Sequence, residues 1–190
     1  MAAHFPDPAG VRFATPGFDP AQPDFTSHAQ MMARLQALAE SQPRSVRLGS
    51  AGASAQGRDL PTVLLAEGGR WRPERPTLLL VAHQHGNEPA PGEAMLVLLE
   101  RWAAPESAAL LKRVNVVALP RANPDGAAAF KRVGSDGTDI NRDHLLLRTP
   151  EARAMAAVAT RYRPQVVLDM HEFPAASAGS RSSAAGPRPT

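Results

Sequence analysis

The sequence predicts an α/β protein built on a mixed, largely parallel sheet that is flanked by helices. Strand-like apolar segments alternate along the chain with segments that carry apolar residues at helical spacing. The run "TLLLVA" at residues 77–82 is continuously apolar, which is typical of a strand buried on both faces. With 190 residues and 43% hydrophobic content, the chain is long enough for one domain with a real core.

The first half of the chain predicts one helix followed by three strands. In "TSHAQMMARLQALAESQP", Ser27 and Gln30 fit a capping box, and Met31, Leu35 and Leu38 recur at helical spacing. Strands are predicted next over "SVRLGS", "LPTVLLAEG" and "RPTLLLVAH". The turn-rich segment "AGASAQGRD" separates the first two of them.

The second half predicts two helices that alternate with two strands. The helices are predicted over "GEAMLVLLERWAA" and "TPEARAMAAVATRYRP", and Pro150 and Glu151 suit the start of the second one. The strands are predicted over "VNVVALP" and "QVVLDMHEF", and "NPDG" is a strong turn signal after the first of them.

Composition divides the chain into three parts. Residues 1–24 are rich in Pro, Gly and Asp and predict an extended lead-in, whereas residues 25–173 predict the folded domain. Residues 174–190 contain Ala, Ser, Pro and Arg but no large apolar residue, so we expect a disordered tail. Because this tail follows directly on a strand, we expect the sheet to be incomplete at its C-terminal side.

Charge and composition exclude several classes of function. The chain has no cysteine, which rules out disulfides and thiolate metal sites. The net charge is +3 without a basic stripe, so no nucleic-acid partner is expected. No apolar run approaches the ~18 residues of a membrane span. No secretory signal is visible, so a cytoplasmic location is the default expectation.

Three polar clusters follow predicted strands, namely "HQHGNE", "RANPDG" and "DMHEF". Ligands of open α/β sheets bind at the carboxyl ends of the strands, so the clusters predict one common site. The three-residue spacing of His85 and Glu88 lets both side chains face one point, and the distant His171 would complete a catalytic zinc site. Alternatively, His83 and His85 share one face of a strand and form the metal pair. A further alternative makes His83 a buried histidine.

The ordered motifs "HGNE", "NPDG", "GTDINRD" and "DMHE" resemble the zinc metallocarboxypeptidase family of carboxypeptidase A/B type. The resemblance runs from about residue 27 to Phe173 and includes "GSAGASAQGRDLP". It implies a zinc carboxypeptidase-like fold, one zinc ion, and hydrolysis of C-terminal residues of peptides through a metal-activated water. It also implies that residues 25–173 form the N-terminal part of such a catalytic domain.

By this resemblance, His85, Glu88 and His171 are the zinc ligands, and Asp139 hydrogen-bonds a ligating histidine. Asn141 and Arg142 would bind the C-terminal carboxylate of the substrate, a task suited to a guanidinium fork and an amide. Arg132 matches the arginine that stabilises the oxyanion.

These assignments have structural alternatives. Arg132 would otherwise be a solvated loop charge, and Arg142 would form an ion pair with Asp139 or Asp143. His144 is interpreted as a packing or hydrogen-bonding residue. Asn123 and Asp125 are interpreted as turn-forming residues.

The family's general base is a glutamate on a later strand, and residues after Phe173 include no Glu, Asp or Tyr. Glu172 should face away from the metal because neighbours on a strand point to opposite faces. Glu93, Glu100 and Glu151 are expected to be exposed on helices. The absent base leaves open whether this chain is active.

Two other functions remain compatible with the motifs. One is a zinc-dependent deacylase of the aspartoacylase or succinylglutamate desuccinylase type, acting on N-acyl amino acids, since those enzymes also carry "HGNE"-like and Asn-Arg motifs. The other is a non-catalytic module that binds zinc or carboxylates.

Overall fold

The computed structural model describes Thr15, Gly17 and residues 24–173. Apart from Thr15, Gly17 and Asp24, the predicted lead-in over residues 1–24 lies outside the described residues. The predicted tail over residues 174–190 also lies outside them. All helices and strands given below fall within the predicted folded domain, residues 25–173.

The described part of the chain forms one five-stranded sheet with helices around it. The strands are β1 (Val46–Ala53), β2 (Asp59–Leu65), β3 (Thr77–Ala82), β4 (Asn115–Leu119) and β5 (Val166–Met170). The α-helices are α1 (His28–Ser41), α2 (Ala90–Ala103), α3 (Ala108–Leu111), α4 (Pro124–Ala129) and α5 (Pro150–Tyr162). Short 3-10 helices cover Glu67–Gly69, Pro105–Ser107 and Ile140–Arg142. None of these helices has both the length and the apolar character needed to cross a membrane.

The strand order across the sheet is β1-β2-β4-β3-β5. The pairs β1–β2 and β2–β4 are antiparallel, whereas β3 is parallel to both β4 and β5. The predicted mixed α/β sheet is therefore confirmed, although its pairings divide evenly between the two orientations. The parallel trio of β4, β3 and β5 brings three carboxyl ends to one edge of the sheet.

The first helix begins where the capping motif predicts. Ser27 is the N-cap of α1, and its side chain accepts a hydrogen bond from the backbone N–H of Gln30. The side chain of Gln30 in turn accepts from the backbone N–H of Ser27 at 2.8 Å. These reciprocal bonds satisfy two helix-end donors, which stabilises the start of α1.

The core lies on both faces of the sheet. One face packs Leu80 and Val116 against Met31 of α1 and Met95 of α2. The opposite face packs the alternate strand residues, such as Leu79 and Val117, against Met155 and Val158 of α5. Since successive strand residues enter different clusters, β3 and β4 are buried on both faces, as the continuous apolar run of β3 predicts.

The β5 strand has a different environment from β3 and β4. It lies at an edge of the sheet and pairs only with β3 among the described residues. Val166, Val167 and Leu168 are each about half exposed, at 56%, 55% and 48%. This is the edge at which the sequence predicts an incomplete sheet, and it exposes both apolar side chains and unpaired backbone groups.

Two glutamates that were expected to be exposed are buried, so that expectation is wrong for Glu93 and Glu151. Glu93 accepts hydrogen bonds from the backbone N–H and the hydroxyl of Thr26, at 2.7 and 2.8 Å. Glu151 accepts from the backbone N–H of Ala55 at 3.0 Å. Both acids lie in the first turn of a helix and accept hydrogen bonds from a loop that is distant in sequence. Helical periodicity does not predict such a contact.

Candidate metal centre

The three polar clusters meet at the carboxyl edge of the parallel strands. The ladder between β3 and β4 continues beyond both strands, with Ala122 N–H donating to the Ala82 carbonyl at 2.9 Å. On the other side of β3, Ala82 lies opposite Met170, the last residue of β5. Residues after β3, β4 and β5 therefore start from the same edge, as the sequence predicts.

The glycine of "HGNE" is required by close packing. A Cβ atom built on Gly86 would lie 1.9 Å from the carbonyl carbon of Gly126, in α4. The Gly86 N–H also donates to the carbonyl of Arg132 at 3.4 Å. The backbone of this loop is thus held against α4 and against the loop that carries Arg132.

His85, Glu88 and His171 form a compact cluster. One possible ligand atom from each lies within 4.8 Å of the others. The two oxygens of Glu88 contact the Nδ1 atoms of His85 and His171, each at 2.8 Å. His85 and Glu88 are buried, whereas the side chain of His171 is 31% exposed. The structure therefore brings together the three ligands that the family resemblance implies.

The outer nitrogens of both imidazoles are held by carboxylates. His85 Nε2 lies 3.2 Å from Asp139 Oδ1, and His171 Nε2 lies 2.9 Å from Asp169 Oδ2. Such partners fix the tautomer of a ligating histidine and leave Nδ1 free for a metal. Sequence reasoning missed Asp169, although the strand predicted over "QVVLDMHEF" would already have placed it on the same face as His171, two residues later.

The hydrogen bonds of the cluster stabilise the ionised form of Glu88 and the protonated form of His171. Burial raises the pKa of Glu88, but hydrogen bonds from the Glu172 backbone and the two histidines outweigh it and hold this pKa below its usual range. Burial lowers the pKa of His171, yet its bonds to Glu88 and Asp169 raise the pKa overall. Burial likewise raises the pKa of Asp139, but its bond to Arg132 brings it below the ordinary value. The site thus stabilises positive charge, whether a proton or a metal cation.

Arg132 lies in the cluster and is not a free loop charge. Its Nε donates to Asp139 Oδ2 at 3.0 Å, and one terminal nitrogen lies 3.2 Å from His85 Nδ1 and 3.7 Å from Glu88 Oε1. Its side chain is 44% exposed, so it also faces the solvent. This position, beside two of the implied ligands, suits a group that contacts negative charge developing on a substrate.

Asn141 and Arg142 lie in the same cleft, which has a volume of about 290 Å³. Asn141 Nδ2 is 3.1 Å from His171 Nε2. Arg142 donates to the carbonyl of Asn141 at 3.0 Å and forms no ion pair with a described residue. The alternative ion pairs of Arg142 are not formed, since Asp139 pairs with Arg132 and Asp143 accepts from Thr149.

Glu172 also lines this cleft, but its carboxylate forms no hydrogen bond with the three implied metal ligands, and the expectation that it faces away from the metal stays a prediction. Because β5 ends at Met170, strand alternation does not determine the direction of this side chain. The Glu172 backbone N–H donates to Glu88 Oε2 at 3.1 Å, and its carboxylate accepts from Ala90 N–H at 3.1 Å. Its carboxylate is therefore engaged at the start of α2.

His83 does not join the metal cluster, so the alternative of a His83–His85 pair is wrong for this structure. Strand β3 ends at Ala82, and His83 adopts the left-handed φ of 60°, which ends the alternation of side chains. Its Nε2 contacts the Gly86 carbonyl at 3.2 Å. Burial, with a contribution from Arg121, lowers the pKa of His83 to about 4, as befits a buried neutral histidine.

The "NPDG" segment starts a helix and does not form a simple turn. Asn123 is the N-cap of α4 and accepts from Gly126 N–H at 2.8 Å. Asp125 is buried and accepts from the Ser54 hydroxyl at 2.7 Å, the Gln56 N–H at 2.9 Å and an Arg58 nitrogen at 2.7 Å. The "QGRD" loop is thereby tied to α4, on which the metal loop packs.

His144 makes a hydrogen bond, as predicted, but with a distant partner. Its Nε2 lies 2.9 Å from the side-chain oxygen of Gln84, in the loop after β3. It belongs neither to the metal cluster nor to the cleft beside it.

Known proteins resemble this chain in sequence and in fold. A family model described as zinc carboxypeptidase, peptidase M14, matches residues 31–177. Carboxypeptidase 2 of Trichophyton rubrum is 43% identical over 96 residues, which cover 50% of this chain and 18% of the fungal protein. Carboxypeptidase A of Helicoverpa armigera has a TM-score of 0.71 at 20% identity, covering 87% of this chain and 50% of that one.

A metallo-carboxypeptidase of Pseudomonas aeruginosa, solved with (2-guanidinoethylmercapto)succinic acid, has a TM-score of 0.62 and 28% identity. That match covers 77% of this chain and 39% of the other. The chain therefore spans half or less of the length of these three relatives. Since the family model matches well over half of its residues, the chain belongs to the zinc carboxypeptidase family.

Proposed function

We propose that this protein is a zinc-dependent metallocarboxypeptidase whose cleft binds one zinc ion and the C-terminal carboxylate of a peptide. One observation carries the proposal: the cluster of His85, Glu88 and His171 shares its cleft with Arg132 and Arg142. Metal ligands and two guanidinium groups in one cleft suit the hydrolysis of a bond close to a carboxylate.

The donor set fits zinc. Two imidazole nitrogens and one carboxylate are a common catalytic zinc set, which leaves one coordination position open. The carboxylates of Asp139 and Asp169 hold the Nε2 atoms and so direct Nδ1 of each histidine toward Glu88. Zinc bound there would lower the pKa of a water molecule and polarise the scissile carbonyl.

The arginines and the asparagine suit substrate recognition. Arg142 has no ion-pair partner among the described residues, so its guanidinium is available for a bidentate bond to a carboxylate. The Asn141 amide lies beside it and adds a directional hydrogen bond. Arg132, anchored by Asp139, would contact the carbonyl oxygen of the scissile bond as negative charge develops on it.

A second candidate is a non-catalytic module that binds zinc and carboxylates. The cleft acids already have partners, because Glu88 contacts both histidines, and Glu172 accepts from Ala90 N–H. In the described part of the cleft, these contacts hold Glu88 between the histidines and Glu172 at the start of α2, which disfavours either carboxylate as the general base. By contrast, no contact in the cleft favours N-acyl amino acids over peptides as substrates.

Zinc content tests the metal part of the proposal. Purified protein dialysed against zinc, then against buffer, should retain about one ion per chain by elemental analysis, and His171→Ala should lose it. His144→Ala is the matched control, since this histidine lies outside the cluster, and it should retain the metal. Unchanged zinc in His171→Ala would refute the ligand set.

Turnover tests the rest. If the protein releases C-terminal residues from hippuryl peptides, and a chelator abolishes that release, the carboxypeptidase proposal is supported. Hydrolysis of N-acyl amino acids alone would support the deacylase. Binding of zinc and of peptide C-termini without turnover would support the non-catalytic module.

A further inference from the structure

A second cavity, of about 620 Å³, lies beside the loop that follows β3 and is separate from the metal cleft. The charged, aromatic and imidazole side chains that line it belong to Asp24, Phe25, His28, His83, Arg121 and Phe130. None of the three metal ligands lines it, and the only shared element is the loop that contains His83 and Gly86. It therefore needs a function other than metal binding.

Arg121 is the unusual feature of this cavity. The residue is only 4% exposed, and one terminal nitrogen donates to the Thr26 carbonyl at 2.6 Å. Its Nε is buried and has no hydrogen-bond partner in the described part of the chain. No described carboxylate forms an ion pair with it. Buried arginines are normally paired with an anion. The guanidinium of Arg121 departs from this rule, because no described residue forms an ion pair with it.

The two acids that bear on this cavity already have hydrogen-bond partners, and the exposed Asp24 accepts from the Phe25 N–H at 2.8 Å. Glu93 raises the pKa of Arg121 through its charge, while burial lowers that pKa to about 10 overall. Both Glu93 oxygens, however, accept hydrogen bonds from Thr26. The field of Glu93 partly offsets the charge of Arg121, so the cavity suits a monoanion better than a dianion.

The mouth of the cavity is aromatic. The side chains of Phe25 and Phe130 are 47% and 61% exposed, and their rings stack with centroids 6.4 Å apart. Two exposed phenyl groups at the entrance to a polar cavity provide an apolar surface that a ligand can cover. His28 lines the same cavity, and its buried Nδ1 has no partner among the described residues.

We propose that this cavity binds a small organic acid that carries one carboxylate and an apolar or aromatic group. Arg121, which lines the cavity, binds the carboxylate through its charge and its guanidinium N–H groups, since a guanidinium matches the two oxygens of a carboxylate. Phe25 and Phe130 contact the apolar group. The site shares no ligand-binding residue with the metal cleft and does not depend on the carboxypeptidase proposal.

Calorimetric titration of the full chain, freed of metal and at fixed ionic strength, tests the site with phenylacetate, acetate and inorganic phosphate. Phenylacetate should bind more tightly than acetate, and acetate more tightly than phosphate. Arg121→Met should weaken phenylacetate binding ~10-fold or more, the loss expected for a charged hydrogen bond. Arg113→Met, a change at an exposed arginine, should leave it unchanged.

Two further variants keep the test decisive if Arg121→Met does not fold. Phe130→Ala changes an exposed side chain and should weaken phenylacetate binding roughly 2- to 10-fold without affecting acetate. Arg142→Met removes the carboxylate-binding group proposed for the metal cleft, so the same titrations are repeated in that background, where binding that depends on Arg121 and Phe130 should persist. Failure of phenylacetate to bind, tighter binding of phosphate, or complete loss of binding in the Arg142→Met background would overturn the proposal.

Discussion

His83 and His85 are separated by one residue, yet the structure places them in polar environments of opposite character. The His85 imidazole lies between the carboxylates of Glu88 and Asp139. The His83 imidazole is hydrogen-bonded through Nε2 to the Gly86 carbonyl, and its Nδ1 has no hydrogen-bond partner among the described residues. The left-handed backbone at His83 separates the two side chains, so spacing in sequence does not predict a shared site here.

The pKa values of the histidines also differ between these two environments. Around His83, burial and the charge of Arg121 lower the pKa to about 4. Around His171, the partner of His85 across Glu88, two carboxylates raise the pKa above its ordinary value. One environment disfavours an additional cation and the other favours it, which is why a metal is expected only at the second.

The largest expected difference between the two histidines is in zinc affinity. His85→Ala removes a proposed zinc ligand and should weaken zinc binding by more than the ~10- to 100-fold loss typical of removing a ligand's partner. His83→Gln should change the affinity little, because His83 lies outside the cluster. Competition with a chromophoric chelator measures both constants. Equal losses in the two variants would show that the histidines act together.

The loop that follows β3 and carries both histidines should be sensitive to a larger side chain at Gly86. Gly86→Ala places a methyl group where the Gly126 backbone lies and should lower the free energy of unfolding by about 1–3 kcal/mol or more. Gly134→Ala is the matched control, since its Cβ would meet no atom closer than 3.5 Å. Urea denaturation measures both. A Gly86→Ala protein as stable as the control would contradict the close packing.

The carboxylate behind His171 should have a smaller effect on metal binding than a direct ligand. Asp169→Asn keeps the shape but weakens the hold on His171 Nε2, so zinc affinity should fall roughly 10- to 100-fold. Glu74→Gln, an equivalent change at an exposed acid, should have no effect. Unchanged affinity in Asp169→Asn would mean that His171 is positioned without this bond.

The smallest expected effect concerns pH and the loop that packs behind the metal segment. Burial raises the pKa of Asp125, but hydrogen bonds from Ser54, Arg58 and the Gln56 backbone bring it below its ordinary value of 3.8. The unfolded chain therefore binds a proton at Asp125 at a higher pH than the folded protein does. The resulting stability is present above 3.8 and is lost as pH falls through the lower, folded pKa.

Asp125→Asn should consequently flatten the decline in the free energy of unfolding between about pH 5 and pH 2. Urea denaturation across this range provides the measurement, with Glu74→Gln as control. Parallel pH profiles for Asp125→Asn and the unaltered protein would rule out this linkage.

The sequence by itself determined most of the elements and the family, although it predicted a turn at "NPDG", where α4 begins. A capping box located the start of α1, a continuous apolar run identified β3 as buried on both faces, and polar clusters after three strands located the site. These features depend on local spacing and side-chain type, which the chain carries without reference to its fold. The ordered motifs then indicated the zinc carboxypeptidase family, which the family model matches over residues 31–177.

Only the tertiary structure decided which polar residues work together. Glu93 and Glu151 are buried by loops 67 and 96 residues away in sequence, and Glu172 lines the cleft beyond the end of β5. The cavity around Arg121 depends on contacts between α1, the loop after β3 and α4. Helical and strand periodicities describe which face a side chain occupies, but they do not specify what another part of the chain brings to that face.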